Sequence, residues 1–332
     1  CLAECVDDAD CDAGMMCNSA GACEEMFNPT GGGQAGDGGS GGETCADVEV
    51  SFAPITPTVM LLIDQSGSMT ANYPGGNRWD VLYDSLMASE TGVVKALEGD
   101  VRFGLALYTS YNGFDGGTCP VITDVPVGLD NHAAIDAVYG DASPQDETPT
   151  GEALSVIADI LEADDTEGPK IIILATDGEP DTCAEPNPQN GQAVAIAAAQ
   201  DAFDRGIRTY VLAVGNDVGQ AHLQDMANAG AGLAIDGPDA APFYQPADEQ
   251  GLIEDFSSII DGERSCVLSL DGEVDPEHAG EGSVYLDGAE LGYEDADGWQ
   301  LNGPSEIELL GAACETIKSG AHSVTGSFPC DA

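Results

Sequence analysis

Between residues 45 and 262, short apolar runs alternate with segments of helical periodicity, and this alternation limits the fold more than any other feature of the chain. TVMLLID (58–64), VRFGLALYT (101–109), KIIILATD (170–177) and RTYVLAVG (208–215) are runs of strand length. CPVITDVPVG (119–128) is a further strand, with prolines that suit an edge. Between them, Trp79, Leu82, Tyr83 and Leu86 share one helical face, as do Leu154, Ile157, Ile160 and Leu161. An alanine-rich helix over 191–205 and a helix around 218–229 follow. A short strand near GLAIDG (232–237) then precedes a last helix carrying Leu252, Ile253, Phe256, Ile259 and Ile260. KIIIL is buried on both faces and is expected at the centre of the sheet. Strands alternating with helices give a doubly wound, mostly parallel α/β sheet, which binds ligands beyond the carboxyl ends of its strands.

This domain, 45–264, has a different texture on each side. In residues 1–26, Cys5, Cys11, Cys17 and Cys23 recur at a six-residue step among Asp, Gly and Ser. That reads as a small disulfide-stapled module and implies an oxidising, extracytoplasmic compartment. The CxxC pairs and histidine partners of a zinc site are missing. FNPTGGGQAGDGGSGGET (27–44) is a flexible linker; no strand precedes its glycines and no helix follows, so it is not a phosphate loop. Residues 265–332 form a small β-rich domain from CVLSLDGEV, SVYLDGAELGY, SEIELLG and HSVTGSF, with one helix in AACETIKSG. Cys266, Cys314, Cys330 and Trp299 are expected to hold it together. Cys1 makes the count of 11 cysteines odd. It is expected to carry a diacylglyceryl anchor, as in a mature bacterial lipoprotein; the alternative is a free or disulfide-bonded Cys1.

The chain has 60 Asp and Glu against 8 Lys and Arg, a formal net charge of −52. Such a surface repels nucleic acid and anionic headgroups and favours divalent cations and basic partners. The acids are scattered and form no EF-hand, so they read as solvation for a salty medium rather than calcium storage. No apolar run reaches bilayer-spanning length, so membrane association is expected only through Cys1.

Asp64, Ser66 and Ser68 in DQSGSM (64–69) lie just beyond the carboxyl end of the first strand. ETPTGEAL (147–154) enters a helix, and ATDGEP (175–180) caps the KIIIL strand. The three loops should meet on one rim and offer the carboxylates of Asp64 and Asp177 with the hydroxyls of Ser66, Ser68 and Thr148. An all-oxygen set suits a hard divalent cation completed by water. Taken alone, DQSGSM could equally be a polar turn.

DQSGSM, TPTGEAL and TDGEP, in that order and on those elements, resemble the von Willebrand factor type A fold and its metal-ion-dependent adhesion site. The wider arrangement is similar to secreted bacterial type A proteins. The resemblance implies direct coordination by Ser66 and Ser68, by Thr148 in the ligand-competent state, and by Asp64 and Asp177 directly or through water. Thr150 and Gly151 match the same loop in supporting roles. The implied ion is Mg²⁺, with Mn²⁺ or Ca²⁺ as the other candidates.

Cys119 and Cys183 lie near the rim and are expected to pair, clamping two of its loops. The resemblance implies that the domain ends are linked, Cys45 to Cys266, which leaves Cys314 with Cys330; an exchange among these four is the alternative.

Catalysis is not expected. His132, His222, His278 and His322 have no metal-ligand or nucleophile-base spacing, and the SGS segment lacks the hydrolase elbow. Asp64 and Asp177 are not accompanied by pocket-forming aromatics; Tyr108, Tyr111 and Phe114 read as packing, and Trp79 as core. The implied function is extracellular or cell-surface adhesion, dependent on a divalent cation that accepts an exposed Asp or Glu of a protein partner. The alternative is a structural subunit of a self-assembling filament or layer, and a weaker third reading is a recruiting subunit for a separate enzyme.

Overall fold

The structure, a computed structural model, describes residues 15–17, 23–25, 48–110, 118–185, 189–235, 237–270, 272–318 and 322–328. Cys1, Cys5, Cys11, Cys45, Cys330, the 27–44 linker, Tyr111 and Phe114 lie outside these residues. The chain divides into two units, Cys1–Thr44 with Ala332, and Cys45–Asp331. In the first, β1 (Met15–Cys17) and β2 (Cys23–Glu25) pair antiparallel with Cys17 opposite Cys23.

The second unit opens with β3 (Val48–Pro54) and β4 (Thr58–Asp64), then a small hairpin of β5 (Asn72–Tyr73) and β6 (Gly76–Asn77). Helices α1 (Arg78–Met87) and α2 (Val93–Leu97) lead to β7 (Arg102–Thr109) and β8 (Val121–Gly128). After α3 (His132–Asp141) and α4 (Thr150–Glu162) come β9 (Lys170–Thr176), α5 (Gln192–Asp204) and β10 (Ile207–Ala213). Helices α6 (Gln220–Gly230) and α7 (Glu249–Glu263) complete the α/β part.

Its sheet has the order β10-β9-β4-β7-β8. The first four strands are parallel and β8 is an antiparallel edge, where Pro126 faces outward. The centre is β4, with β9 beside it. Along β4 the pleat sends Val59, Leu61 and Ile63 to one face, against Leu82, Val94, Ile135 and Phe256. Met60 and Leu62 go to the other face, against Leu154, Ile157, Ala199 and Leu223. Each such side chain contributes roughly 1.5–3 kcal/mol when fully buried, so an unbroken apolar run is stable only between two helical layers.

GLAIDG does not become a strand among its described residues. Gly232 (φ 69°) closes α6 in the left-handed conformation, and the Leu233 amide donates back to the Asn228 carbonyl at 2.8 Å, so these residues terminate a helix. Tyr244 instead forms an isolated bridge to Leu212 at the sheet edge.

The remaining elements are β11 (Val267–Leu270), β12 (Ser283–Leu286), β13 (Ala289–Leu291), β14 (Trp299–Gly303), β15 (Glu306–Leu309), α8 (Gly311–Lys318) and β16 (Val324–Phe328). They make an antiparallel sheet of order β13-β12-β16-β3-β11-β15-β14. Thus β3, grouped by sequence with the α/β domain, pairs with β16 and β11 in the C-terminal sheet. Its backbone satisfies the edges of both, which would otherwise carry unpaired amides and carbonyls.

The cysteines of this part require a correction. Cys266 bonds to Cys314, with Cα atoms 5.2 Å apart, which overturns both Cys45–Cys266 and Cys314–Cys330. The cause is local. Leu309 donates to the Cys266 carbonyl at 2.8 Å, and α8, which carries Cys314, begins two residues after Leu309. The β11–β15 pairing therefore brings the two thiols together. The expected Cys119–Cys183 disulfide is present, with S–S 2.09 Å and Cα atoms 5.4 Å apart.

Candidate metal centre

Asp64 is the last residue of β4 and pairs with Tyr108 of β7. Gln65 keeps the ladder through its amide to the Tyr108 carbonyl (2.9 Å), and the chain then turns into a short 3₁₀ segment, Gly67–Thr70. That turn returns the Ser66 amide to Asp64 Oδ1 at 2.8 Å. Thr176, at the end of β9, donates to Asp64 Oδ2 at 2.7 Å. Ser66 and Ser68 share a hydroxyl–hydroxyl bond of 2.9 Å, and Ser68 donates to Asp177 Oδ1 at 2.6 Å. Four of the five residues singled out in the sequence therefore belong to one connected group at the carboxyl edge of the sheet.

The fifth, Thr148, is buried on the adjoining loop. No side-chain hydrogen bond links it to the other four among the described residues. Its loop is nevertheless fixed to both partners. Gly67 donates to the Asp146 carbonyl at 3.1 Å, Gln145 to the Gln65 carbonyl at 2.7 Å, and Asp181 to the Thr148 carbonyl at 2.9 Å. Thr150 meets the Tyr108 hydroxyl at 3.1 Å. A Cβ on Gly151 would stand 2.8 Å from the Ala195 amide nitrogen, so only glycine allows α4 to approach α5 there. The Cys119–Cys183 bridge ties β8's entry to the ATDGEP loop, and Cys183 donates to Glu152 Oε1 at 2.8 Å.

One participant is absent from the sequence motifs. Arg78, the first residue of α1, buries its guanidinium beside the rim. Nη1 donates to Asp177 Oδ2 at 2.6 Å and Nη2 to Asp217 Oδ2 at 2.5 Å. A positive charge at a helix N-terminus opposes the helix dipole, and this chain has only 8 Lys and Arg. A basic residue in that position was the available signal.

Asp64 is fully buried and has no basic partner among the described residues. Burial, followed by the neighbouring Asp177, lifts its pKa from 3.8 to about 7. Burial also raises Asp177, countered by Ser68 and Arg78. Burial opposes charge on Arg78, but Asp217 and Asp177 outweigh it and raise its pKa.

The von Willebrand factor type A domain family matches residues 58–256. The chain belongs to that family. No curated protein sequence matches it. Solved structures similar to this type A protein include the pilus adhesin SpaC of Lactobacillus rhamnosus GG. That likeness has TM-score 0.47 and 15% identity, over 85% of this chain and 41% of SpaC. The minor pilin PilB of Streptococcus sanguinis gives TM-score 0.49 and 17% identity, over 63% of this chain and 61% of PilB. The manganese-loaded TRAP protein of Plasmodium vivax gives TM-score 0.43 and 19% identity, over 65% of this chain and 78% of that one. The chain thus spans less than two thirds of the length of the two bacterial structures.

Type A domains commonly bind a divalent cation, and the residues of this rim fit one. Two buried carboxylates are neighbours here, a single guanidinium bonds one of them, Asp177, and the other donors are neutral hydroxyls. Among the described residues no three His, Cys, Asp or Glu side chains converge in metal-holding geometry. A cation here would rest on two carboxylates, hydroxyls and water, a set suited to hard ions.

Proposed function

We propose that this chain is an extracellular binding protein whose type A domain takes up a divalent cation at the rim and engages an acidic side chain of a protein partner. Asp64, Ser66, Ser68, Thr148 and Asp177 would hold the ion, with Mg²⁺ as the expected occupant and Mn²⁺ or Ca²⁺ as substitutes. The observation that carries this reading is the buried Asp64 carboxylate, with no basic side chain paired to it among the described residues, in one hydrogen-bonded group with Ser66, Ser68 and Asp177. A fold bears the cost of such a charge most readily when something positive arrives to meet it.

A bound divalent cation would supply an electron-poor centre able to take a partner's carboxylate. The protein's own part is positional. Ser66 N–H and the Thr176 hydroxyl fix the plane of Asp64, Ser68 fixes Asp177, and the hydroxyls add donors without adding negative charge. Mostly neutral ligands leave the local field positive despite the acidic surface.

A binding role rather than catalysis fits three of the four histidines: His132 bonds the Met87 carbonyl, His278 bonds Glu281 and His322 bonds Asp287. An extracytoplasmic setting fits the Cys119–Cys183 and Cys266–Cys314 disulfides. Among the described residues no helix is long and apolar enough to cross a membrane.

Retention of the purified chain on immobilised extracellular proteins, measured in Mg²⁺ and then in EDTA, tests the reading. Wild type should be retained only with Mg²⁺, and Asp64→Ala in neither condition. Retention unaffected by chelation and by the substitution would overturn it.

A further inference from the structure

We propose that Arg78 sets how tightly the rim holds a divalent cation, by claiming one oxygen of Asp177, and that Asp217 tunes this by sharing the same guanidinium. The proposal rests on the reading of the rim as a cation site.

Asp177 has both oxygens engaged: Oδ1 accepts from Ser68 at 2.6 Å and Oδ2 from Arg78 at 2.6 Å. The Arg78 side chain is only 7% exposed, and its Nε is buried without a hydrogen-bond partner among the described residues. Among the described residues its charge is met by the carboxylates of Asp177 and Asp217. The niche is shaped for it. Gly215 has φ 116°, and a Cβ there would fall 2.7 Å from Nη2 and 2.8 Å from Nε. The guanidinium lies against bare backbone in the loop between β10 and α6, and a side chain at position 215 would displace it.

A fixed positive charge on one oxygen of a carboxylate repels a second positive charge approaching the other, and the burial of Asp177 and Arg78 leaves that repulsion weakly screened. Arg78 therefore weakens the hold of Asp177 on a cation. An ion held by fewer free anionic oxygens keeps more of its charge for an incoming carboxylate.

Asp217 is Arg78's other partner, and its side chain is 66% exposed. A direct effect of this solvated carboxylate on the rim is screened by salt. Its influence through the buried guanidinium is not. Asp217 draws charge away from Asp177, and without it Arg78 bears on Asp177 alone.

Calorimetric titration of Mn²⁺ into the full chain tests this at low and high salt. Arg78→Gln should tighten Mn²⁺ binding about tenfold. Asp217→Asn should loosen it about threefold at both salt concentrations and, at high salt, have no effect in the Arg78→Gln background. Wild type that binds no Mn²⁺ would overturn the cation-site reading, and this inference with it. Wild-type binding combined with an Arg78→Gln that is unchanged or weaker would overturn the inference alone. If Arg78→Gln does not fold, Asp217→Asn decides: loosening that persists in high salt supports the relay, and loosening that is absent or disappears refutes it.

Discussion

Thr176 donates its hydroxyl proton to Oδ2 of Asp64 across 2.7 Å, joining the ends of β9 and β4. With the Ser66 amide on Oδ1, both Asp64 oxygens are hydrogen-bonded, but Asp64 has no opposing charge among the described residues. Asparagine could keep both contacts, because its oxygen can accept from Ser66 and its amide can donate to the Thr176 hydroxyl. Asp64→Asn should therefore make the chelated protein more stable at mildly alkaline pH, by roughly 1–3 kcal/mol, while removing any stabilisation by Mg²⁺. Differential scanning calorimetry in EDTA and in MgCl₂ measures both effects. A variant melting below wild type in EDTA would count against a buried, uncompensated charge.

The same carboxylate gives a pH dependence whose sign is fixed. Its folded pKa is about 7, above the ordinary 3.8. Between those values the folded state keeps a proton that the unfolded chain has lost, so the chelated protein loses stability as pH rises across that range. Asp181, lifted to about 6 chiefly by burial, acts in the same direction. Metal binding needs the ionised form, so Mg²⁺ should raise the melting temperature little near about pH 5 and fully near about pH 8. Equal shifts at the two pH values would remove Asp64 from the ligand set.

The α/β part was legible because its signals are local. TVMLLID and KIIIL are unbroken apolar runs, and DQSGSM and TDGEP follow such runs directly. Cys119 and Cys183 could be paired because both sit on rim loops. The failures depend on information that is not local. The pairing of β3 with β11 and β16 joins segments more than 200 residues apart, and nothing in VEVSFAP specifies which sheet receives it. Cys266–Cys314 depends on β11 lying beside β15. GLAIDG has the apolar content of a strand, but Gly232 is used to end α6. Arg78 matches none of the rim motifs, and its role arises only when loops near 177 and 217 meet.

The rim disulfide should support the site as well as the fold. Cys119 and Cys183 are 64 residues apart in sequence, and closing such a loop typically stabilises by about 2–4 kcal/mol. Because Cys183 lies on the loop that carries Asp177 and reaches Glu152, the Cys119→Ser/Cys183→Ser pair should lower both the unfolding midpoint and Mn²⁺ affinity. The Cys266→Ser/Cys314→Ser pair, which joins the start of β11 to α8, should lower stability and leave Mn²⁺ affinity unchanged. Urea titration with parallel calorimetry separates the cases. Equal losses of Mn²⁺ affinity in both pairs would mean that the rim bridge has no special role.

Trp299 anchors the core of the C-terminal sheet, where it is buried with Leu268, Ile307 and Phe328. It is fully buried, with Tyr293 at 4.8 Å and Phe328 at 5.6 Å, both edge-on. Trp299→Ala should cost about 3–5 kcal/mol, since the surrounding sheet can only partly collapse into the void. Trp299→Phe should cost much less, because the indole Nε1 is buried without a partner among the described residues and its removal relieves an unmet hydrogen bond. The other tryptophan, Trp79, lies in the α/β core, so its fluorescence follows unfolding in both variants. A Trp299→Phe loss as large as that of Trp299→Ala would show that the indole nitrogen is satisfied in solution.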